Sequence, residues 1–518
     1  MPARLLYLIA ICTAIRVAIG SVLELSNDEV YYYLYALDLQ LNYFDHPPGV
    51  ALLIRASTGN LWIYHEFFIR LGAIVCAAFG TLFTFQLGKL LKNERTGYYA
   101  AILYNTSIYT SLIAGTFIIP DSPQVVLWMG SLWIMYRIIV NADLRLKTHI
   151  SEWLLFGLVT GLCILCKVHG IFLWFGFGLY ILFFQYRLLR SFGLYLSVLL
   201  TLVVIIPILW WNLQNDFITY RFHSERVSET SLHLDYFLQA IGGQMIYNNP
   251  INSALVLIAL WNLFRLKFLD TTSMRFIVLN GLPIILVVTG MSLFNSMLPH
   301  WSGPGFMTLS FLAAAWLDEV TKGGSPFRTP AVLKASASLV LVALVAALLL
   351  IKFYPGTLGS HDKVKYGDGD FTLDMYGWRQ FSNEFQPWFR DQQKNGTLPA
   401  DIKIVSNKWF PAAHLDYYVS EPLHLPLIGV GDVVDLHQYF WLNKTRPALK
   451  KGDDAICILP SNYQVMDQEN YTRHFTSYSQ LKTFENTRGG EVARYFYVYL
   501  LKDYQMNDEV HRALSPGQ

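Results

Sequence analysis

FGLYLSVLLTLVVIIPILWW, residues 192–211, carries no charged side chain. About 20 apolar residues make one bilayer crossing, so the stretch reads as a transmembrane helix. Its two ends differ. Arg187 and Arg190 precede it, whereas Trp210, Trp211 and Asn212 close it. Moving outward, similar runs occur near 4–22, 66–90, 97–117, 123–141, 152–165, 169–186, 251–266, 275–293, 304–318 and 331–352, for about eleven spans in all. Only 15% of the residues are charged, against about 25% in an ordinary soluble domain, and that deficit makes lipid the solvent of the first two-thirds of the chain. A formal net charge of +2 excludes a strongly electrostatic nucleic-acid binder.

The positive-inside rule orients the spans. With the N-terminus in the cytoplasm, the inner loops carry Lys89, Lys92, Arg95, Arg137, Arg145, Lys147, Arg187, Arg190, Arg265, Lys267, Arg275, Lys322, Arg328 and Lys334. The outer loops carry only Arg55, Lys167, Arg221 and Arg226. The expected protein is therefore a polytopic α-helical protein of the inner (plasma) membrane. Its transmembrane domain covers 1–353, with a large first outer loop at 23–65. From about Tyr354 the composition becomes that of a soluble domain, and strand-like and helix-like segments alternate. Residues 354–518 are thus expected to form an extracytoplasmic α/β domain, with a helix over 376–392 and 411–419 and strands at 402–406, 455–459 and 492–501.

The outer ends of the spans collect the ionisable residues. The first outer loop opens Ser26-Asn27-Asp28-Glu29, runs through Tyr31, Tyr32, Tyr33 and Tyr35, and continues Tyr43-Phe44-Asp45-His46-Pro47-Pro48-Gly49. Later outer turns bring Pro120-Asp121, Lys167 with His169, Trp210-Trp211-Asn212 through Arg221, His223 and Arg226, and His300-Trp301. Charges are costly near lipid, so acids (Asp28, Glu29, Asp121) and bases (His46, Lys167, His169, Arg221, His300) gathered at one depth point to an outward polar cavity. Each also has a bland reading: Asp28, Glu29 and Asp121 as helix caps, Lys167 as a snorkelling side chain, the tryptophans as an aromatic belt.

Other chemistries lack their motifs. The chain has no Walker A loop and no HExxH. Its one CxxC, Cys163 and Cys166, lies in an apolar run without a partner pair and reads as structural. Asp368-Gly-Asp370 is a lone acidic pair. No cofactor is indicated. A divalent cation stays open, with no full coordination set in view.

These residues resemble the large family of membrane glycosyltransferases that includes protein O-mannosyltransferases and lipid A aminoarabinose transferases, which share the so-called C-type fold. The resemblance runs through Asp28-Glu29 with Tyr32, Asp45-His46-Pro47-Pro48, Arg70-Leu71, Pro120-Asp121, Lys167, Trp211-Asn212 and His300-Trp301 with Pro304-Gly305. It extends into the outer domain from Tyr376-Gly377-Trp378 to Gln438-Tyr439. It implies transfer of a sugar from a polyprenyl-phosphate donor, with inversion, to a hydroxyl on a lipid, glycan or protein acceptor. Asp28, with Glu29 beside it, would be the catalytic base, and Asp121 a second acceptor-side or base-orienting carboxylate. Lys167 would meet the donor phosphate with His46 and His169, His46 standing where the aminoarabinose transferases have lysine. Tyr32, Asn212, Arg221, His300 and Trp301 are the remaining substrate-cavity candidates. The competing reading is a lipid or solute transporter. It calls for inverted repeats and spans interrupted at the midplane, and the sequence displays neither.

Overall fold

The computed structural model describes residues 2–144, 148–225, 231–322, 329–463, 471 and 473–505. Arg145, Lys147, Arg226 and Arg328, used in the charge count above, lie outside them. The chain divides into two compact units. One comprises Met1–Ser21 with Leu39–Leu344, the other Val22–Asp38 with Val345–Gln518. The boundary falls inside the last long apolar helix, Ala331–Phe353, and the start of the first outer loop groups with the C-terminal residues.

The first unit is helical. Among the described residues of the whole chain, six helices are long and apolar enough to cross a membrane: Ala3–Val22, Glu66–Leu91, Asp121–Asp143, Phe192–Gln214, Thr271–Met291 and Ala331–Phe353. Shorter apolar helices fill 150–166, 168–184 and 250–262. The apolar stretch at 97–117 is not one continuous helix. The helix Glu94–Thr106 ends at Ser107, whose backbone is extended, and a π-helical turn follows at Tyr109–Ile113. A π turn misaligns backbone carbonyls, and here a buried arginine satisfies them. Arg16 Nε donates to Ser111 O (3.2 Å), and its Nη2 donates to Thr110 O (3.4 Å) and to Asn105 Oδ1 (3.0 Å). The turn puts Tyr109 in the core with no exposed surface.

In the second unit, five strands form one sheet: β1 (Lys403–Ser406), β2 (Leu427–Gly429), β3 (Ala455–Pro460), β4 (Phe475–Arg488) and β5 (Glu491–Tyr504). Their order is β2-β1-β3-β5-β4. β1 pairs in parallel with β2 and β3, and β5 runs antiparallel between β3 and β4. The helix Trp378–Lys394 buries Trp378, Phe381, Phe385 and Phe389, an i, i+3/i+4 stripe. Phe381 and Phe385 meet Phe484 of β4. β1, β3 and β5 fall at the strand-like segments of the sequence. β2 is too short to stand out. β4 is a polar edge strand whose outward residues hide its alternation.

The first-loop helix Asn27–Leu37 packs within this second unit. Tyr31 meets Trp409 (ring centroids 4.9 Å) and Tyr33 meets Tyr417 (5.0 Å). The acidic pair Asp368/Asp370 is resolved as structure. Asp370 accepts from Arg488 Nη2 at 2.9 Å, both side chains fully buried.

Candidate active site

In the helical unit the chain stops being helical at Cys166. Lys167 takes an extended backbone, its N–H closing the last turn onto Cys163 O (3.1 Å), and a single 3₁₀ turn follows at Val168–Gly170. That break turns the Lys167 side chain inward, where it is 1% exposed. Lys167 Nζ donates to Asp121 Oδ2 at 2.7 Å, and Tyr109 Oη donates to Asp121 Oδ1 at 2.9 Å. Both oxygens of Asp121 are thereby engaged. Asp121 is the first residue of its helix, where a carboxylate also meets the positive end of the helix dipole.

Pro47-Pro48-Gly49 delivers His46 to the same place. A Cβ on Gly49 would come within 2.6 Å of Cys166 Sγ and 2.7 Å of Cys166 Cα. Only glycine lets the loop lie on the end of the Ile150–Cys166 helix. The CxxC pair is thus packing material, and both thiols are free. Gly303 has the same use against the Tyr109 ring, where a Cβ would sit 2.4 Å from Cε1. That approach seats the 3₁₀ turn Pro299–Ser302, which carries His300 and Trp301.

A cavity of about 720 Å³ opens in front of the ion pair. Asn42, Asp45, His46, Lys167, His169 and Trp301 form its polar and aromatic wall. The helix Ile218–Glu225 closes one side with Thr219, Tyr220 and His223. It is pinned there by Asn42 Nδ2 donating to Thr219 Oγ1 (3.1 Å), Thr219 Oγ1 to Tyr43 O (3.1 Å) and His223 Nε2 to Asp45 O (3.0 Å). Desolvation in the wall, joined by the Lys167 charge, pushes His46 down to about 4, although Asp45 pulls the other way. His300 is pushed down to about 4 by the same two causes. Both are neutral at pH 7. Three buried polar atoms of the wall have no hydrogen-bond partner: His169 Nδ1, Asn42 Oδ1 and Asn295 Nδ2. Each costs about 1–3 kcal/mol to leave unpaired, which suits a site completed by a ligand.

The structure therefore brings together Asp121, Lys167, His46, His169 and Trp301. His300 is off the cavity lining but near Asp121. Asn212 is buried, its Nδ2 donating to Ile208 O, and does not line the cavity. Arg221 is exposed and also lies off the lining. Of the two tryptophans, Trp210 is exposed, and Trp211 turns inward to donate to Gln40 Oε1 (2.9 Å). Asp28, Glu29 and Tyr32 belong to the other unit. There Glu29 is fully buried and its Oε2 accepts from the backbone N–H (2.9 Å) and hydroxyl (3.0 Å) of Ser26, a capping box. Tyr32 packs against Tyr31 and Tyr35. Asp28 alone of the acidic pair is exposed. Sequence reasoning missed Tyr109, Asn42, Thr219, His223 and Asn295. Only the position of His223 at an outer span end hinted at it. Among the described residues, no group of three His, Cys, Asp or Glu side chains is arranged to hold a metal ion.

Known proteins share this architecture. The crystal structure of ArnT from Cupriavidus metallidurans bound to undecaprenyl phosphate superposes with a TM-score of 0.61 over 96% of this chain and 98% of that one, at 14% identity. The chain has the fold of a C-type membrane glycosyltransferase. A family model described as dolichyl-phosphate-mannose-protein mannosyltransferase matches residues 45–211. That stretch contains His46, Asp121 and Lys167. The lipid A galacturonosyltransferase RgtD of Rhizobium johnstonii is 26% identical over 294 residues, 56% of this chain and 60% of that protein. The undecaprenyl phosphate-alpha-4-amino-4-deoxy-L-arabinose arabinosyl transferase of Yersinia enterocolitica is 27% identical over 132 residues, 25% of this chain and 23% of that protein. The chain thus matches less than two-thirds of the length of these curated relatives.

Proposed function

We propose that this membrane protein transfers a sugar from a polyprenyl-phosphate donor to a hydroxyl group of a lipid acceptor, lipid A first among the candidates, on the extracytoplasmic face of the inner membrane. The observation that carries the reading is the Lys167–Asp121 pair facing a cavity with unpaired polar atoms, inside a C-type fold. The named relatives supply the donor class and the lipid acceptor, and the family description keeps a protein hydroxyl as the second choice. About eleven spans, an inner N-terminus and an outer C-terminal domain follow from the apolar runs and the distribution of Lys and Arg.

In the proposed reaction the acceptor oxygen attacks the anomeric carbon and the bond from that carbon to the phosphate oxygen breaks. The new bond forms on the opposite face, giving inversion. Asp28 takes the hydroxyl proton, and the phosphate leaves on the polyprenyl carrier. Lys167 stabilises the charge that develops on the departing phosphate. Asp121 orients Lys167, and with both oxygens engaged it is a poor base. His46 and His169 offer N–H donors to the same anion. A donor arriving within the bilayer also answers the lack of nucleotide sugars outside the membrane.

The test is mass spectrometry of lipid extracts from cells with and without the gene. A single polyprenyl-phosphate sugar should accumulate in the deletion strain and return to baseline with the wild-type gene but not with Asp28→Asn. Unchanged carrier lipids would contradict the proposal and favour transport. The topology has its own check. Protease added to intact spheroplasts should cleave beyond residue 354, and protection there would reverse the orientation.

A further inference from the structure

The four residues that lead into the Asp28 helix are all held in place, three of them by the sheet-bearing part of their own unit. Glu24 Oε2 accepts from the backbone N–H of Trp378 at 2.8 Å. Leu25 donates its N–H to Tyr418 Oη (2.8 Å) and accepts at its carbonyl from His414 Nε2 (3.1 Å). Ser26 is taken up by the capping box with Glu29. Asn27 Nδ2 donates to Asp374 Oδ2 at 2.9 Å. One residue later comes Asp28, exposed, whereas residues 29–36 are all buried.

The partners are themselves fixed. His414 Nε2 also donates to Asp374 O (3.1 Å), so a single imidazole N–H bridges the segment before the helix and the turn that holds Asn27. Burial pushes His414 down to about 3, which keeps it neutral, and its ring stacks on Trp378 at 4.1 Å. The turn Phe371–Met375 is gripped by two buried arginines of the β4–β5 hairpin. Arg494 donates to Leu373 O (3.1 Å) and Tyr376 O (2.5 Å), and Arg488 donates to Thr372 Oγ1 (2.6 Å) and Asp370 Oδ2 (2.9 Å). Asp374 keeps its second carboxylate oxygen, Oδ1, buried and without a hydrogen-bond partner. Its carboxyl is pushed up to about 7, chiefly by burial, with the Asp28 charge adding to the rise.

We propose that Asp374 and His414 are positioning residues through which the sheet-bearing part of this unit sets the place of the Asp28 carboxylate. The inference rests on Asp28 being the base of the proposed transfer. It gives the sheet-bearing part of the unit a role in catalysis that needs no contact with substrate.

The test uses the full-length protein in detergent, the polyprenyl-phosphate sugar purified from the deletion strain as donor and deletion-strain membranes as acceptor, with release of polyprenyl phosphate as readout. Asp374→Ala and His414→Phe should each lower kcat about 30- to 100-fold, the size of effect that misplacing a catalytic group by about 1 Å produces, with the donor KM within about twofold. Asp374→Asn keeps an acceptor oxygen for Asn27 and removes the charge. It should recover most of kcat. Wild-type kcat in the folded Ala and Phe variants, a change confined to KM, or an Asp374→Asn variant as slow as Asp374→Ala each overturn the proposal. Should Asp374→Ala fail to fold, Asn27→Ala cuts the same hydrogen bond from the helix side, with the same outcomes on kcat and KM. Asp28→Asn is measured in parallel. Retained turnover there removes the base and this inference together, whereas a dead Asp28→Asn beside active Asp374→Ala and His414→Phe removes this inference alone.

Discussion

Among the described residues, each unit holds one ion pair between a basic residue and an aspartate with both side chains almost fully buried, and the two pairs are built differently. Arg488 and Asp370 are both fully buried, and the guanidinium is surrounded by acceptors: Gly356 O, Ile351 O, Thr372 Oγ1 and Asp370 Oδ2. Lys167 and Asp121 are nearly as buried, yet a cavity of about 720 Å³ opens beside them and polar atoms of its wall lack partners. A saturated pair stabilises one conformation. An ion pair beside unsatisfied groups holds charge ready for something else. Burial of charge alone therefore does not mark a site. What marks it is the hydrogen bonding left unfinished around the charge.

The largest effect should fall on neither pair. Asp28→Asn should lower turnover at least about 10³-fold, within the range for losing a general base, in protein that still inserts and melts like wild type. Turnover within tenfold of wild type would leave the helical unit as the sole source of chemistry. Next, Arg488→Met should cost roughly 3–5 kcal/mol, the range for stranding one partner of a buried pair, read as a lower thermal midpoint with the donor KM unchanged. A raised donor KM would mean that the saturated pair also serves substrate.

Lys167→Ala should cut kcat/KM for the donor about 10- to 100-fold, with the loss of leaving-group stabilisation visible in kcat. It also strands Asp121, so Lys167→Ala with Asp121→Ala should regain stability but not donor use. Recovery of both would make the pair structural, like its counterpart. The smallest effect is that of pH. An anion favours imidazolium, so undecaprenyl phosphate should bind severalfold more tightly as pH falls from about 7 to about 5, against the facing charges of Asp45, Lys167, His223 and Asp121. The free protein should respond the other way. The pKa of His46 is lowered on folding, so its contribution to stability is whole above about 6.5 and is lost as pH falls towards about 4. Binding that is flat across this range, or that weakens, would remove His46 from the phosphate site.

Much of the candidate site was legible because the membrane restricts where charge is tolerable. Lys167, His46 and Asp121 stood out as ionisable residues at span ends, and the structure groups them. Asn212 and Arg221 met the same criterion, but one is buried beside the wall and the other faces outward. The side of a helix on which a residue falls depends on its neighbours. Tyr109 was invisible inside a stretch that reads as a plain span, because its place depends on a π turn and on Arg16 more than 90 residues away.

The sequence by itself determined the membrane character, the approximate places of the apolar helices and the presence of a C-terminal sheet-bearing region. Hydropathy and composition are sums over neighbouring residues and need no partner. Only the tertiary structure decided that Asp121 is bound on both oxygens, that Glu29 caps while Asp28 is presented, and that the Asp28 helix belongs with residues more than 340 positions further on. Those facts rest on hydrogen bonds of about 3 Å between distant segments, and a linear pattern does not encode which distant donor will meet which acceptor.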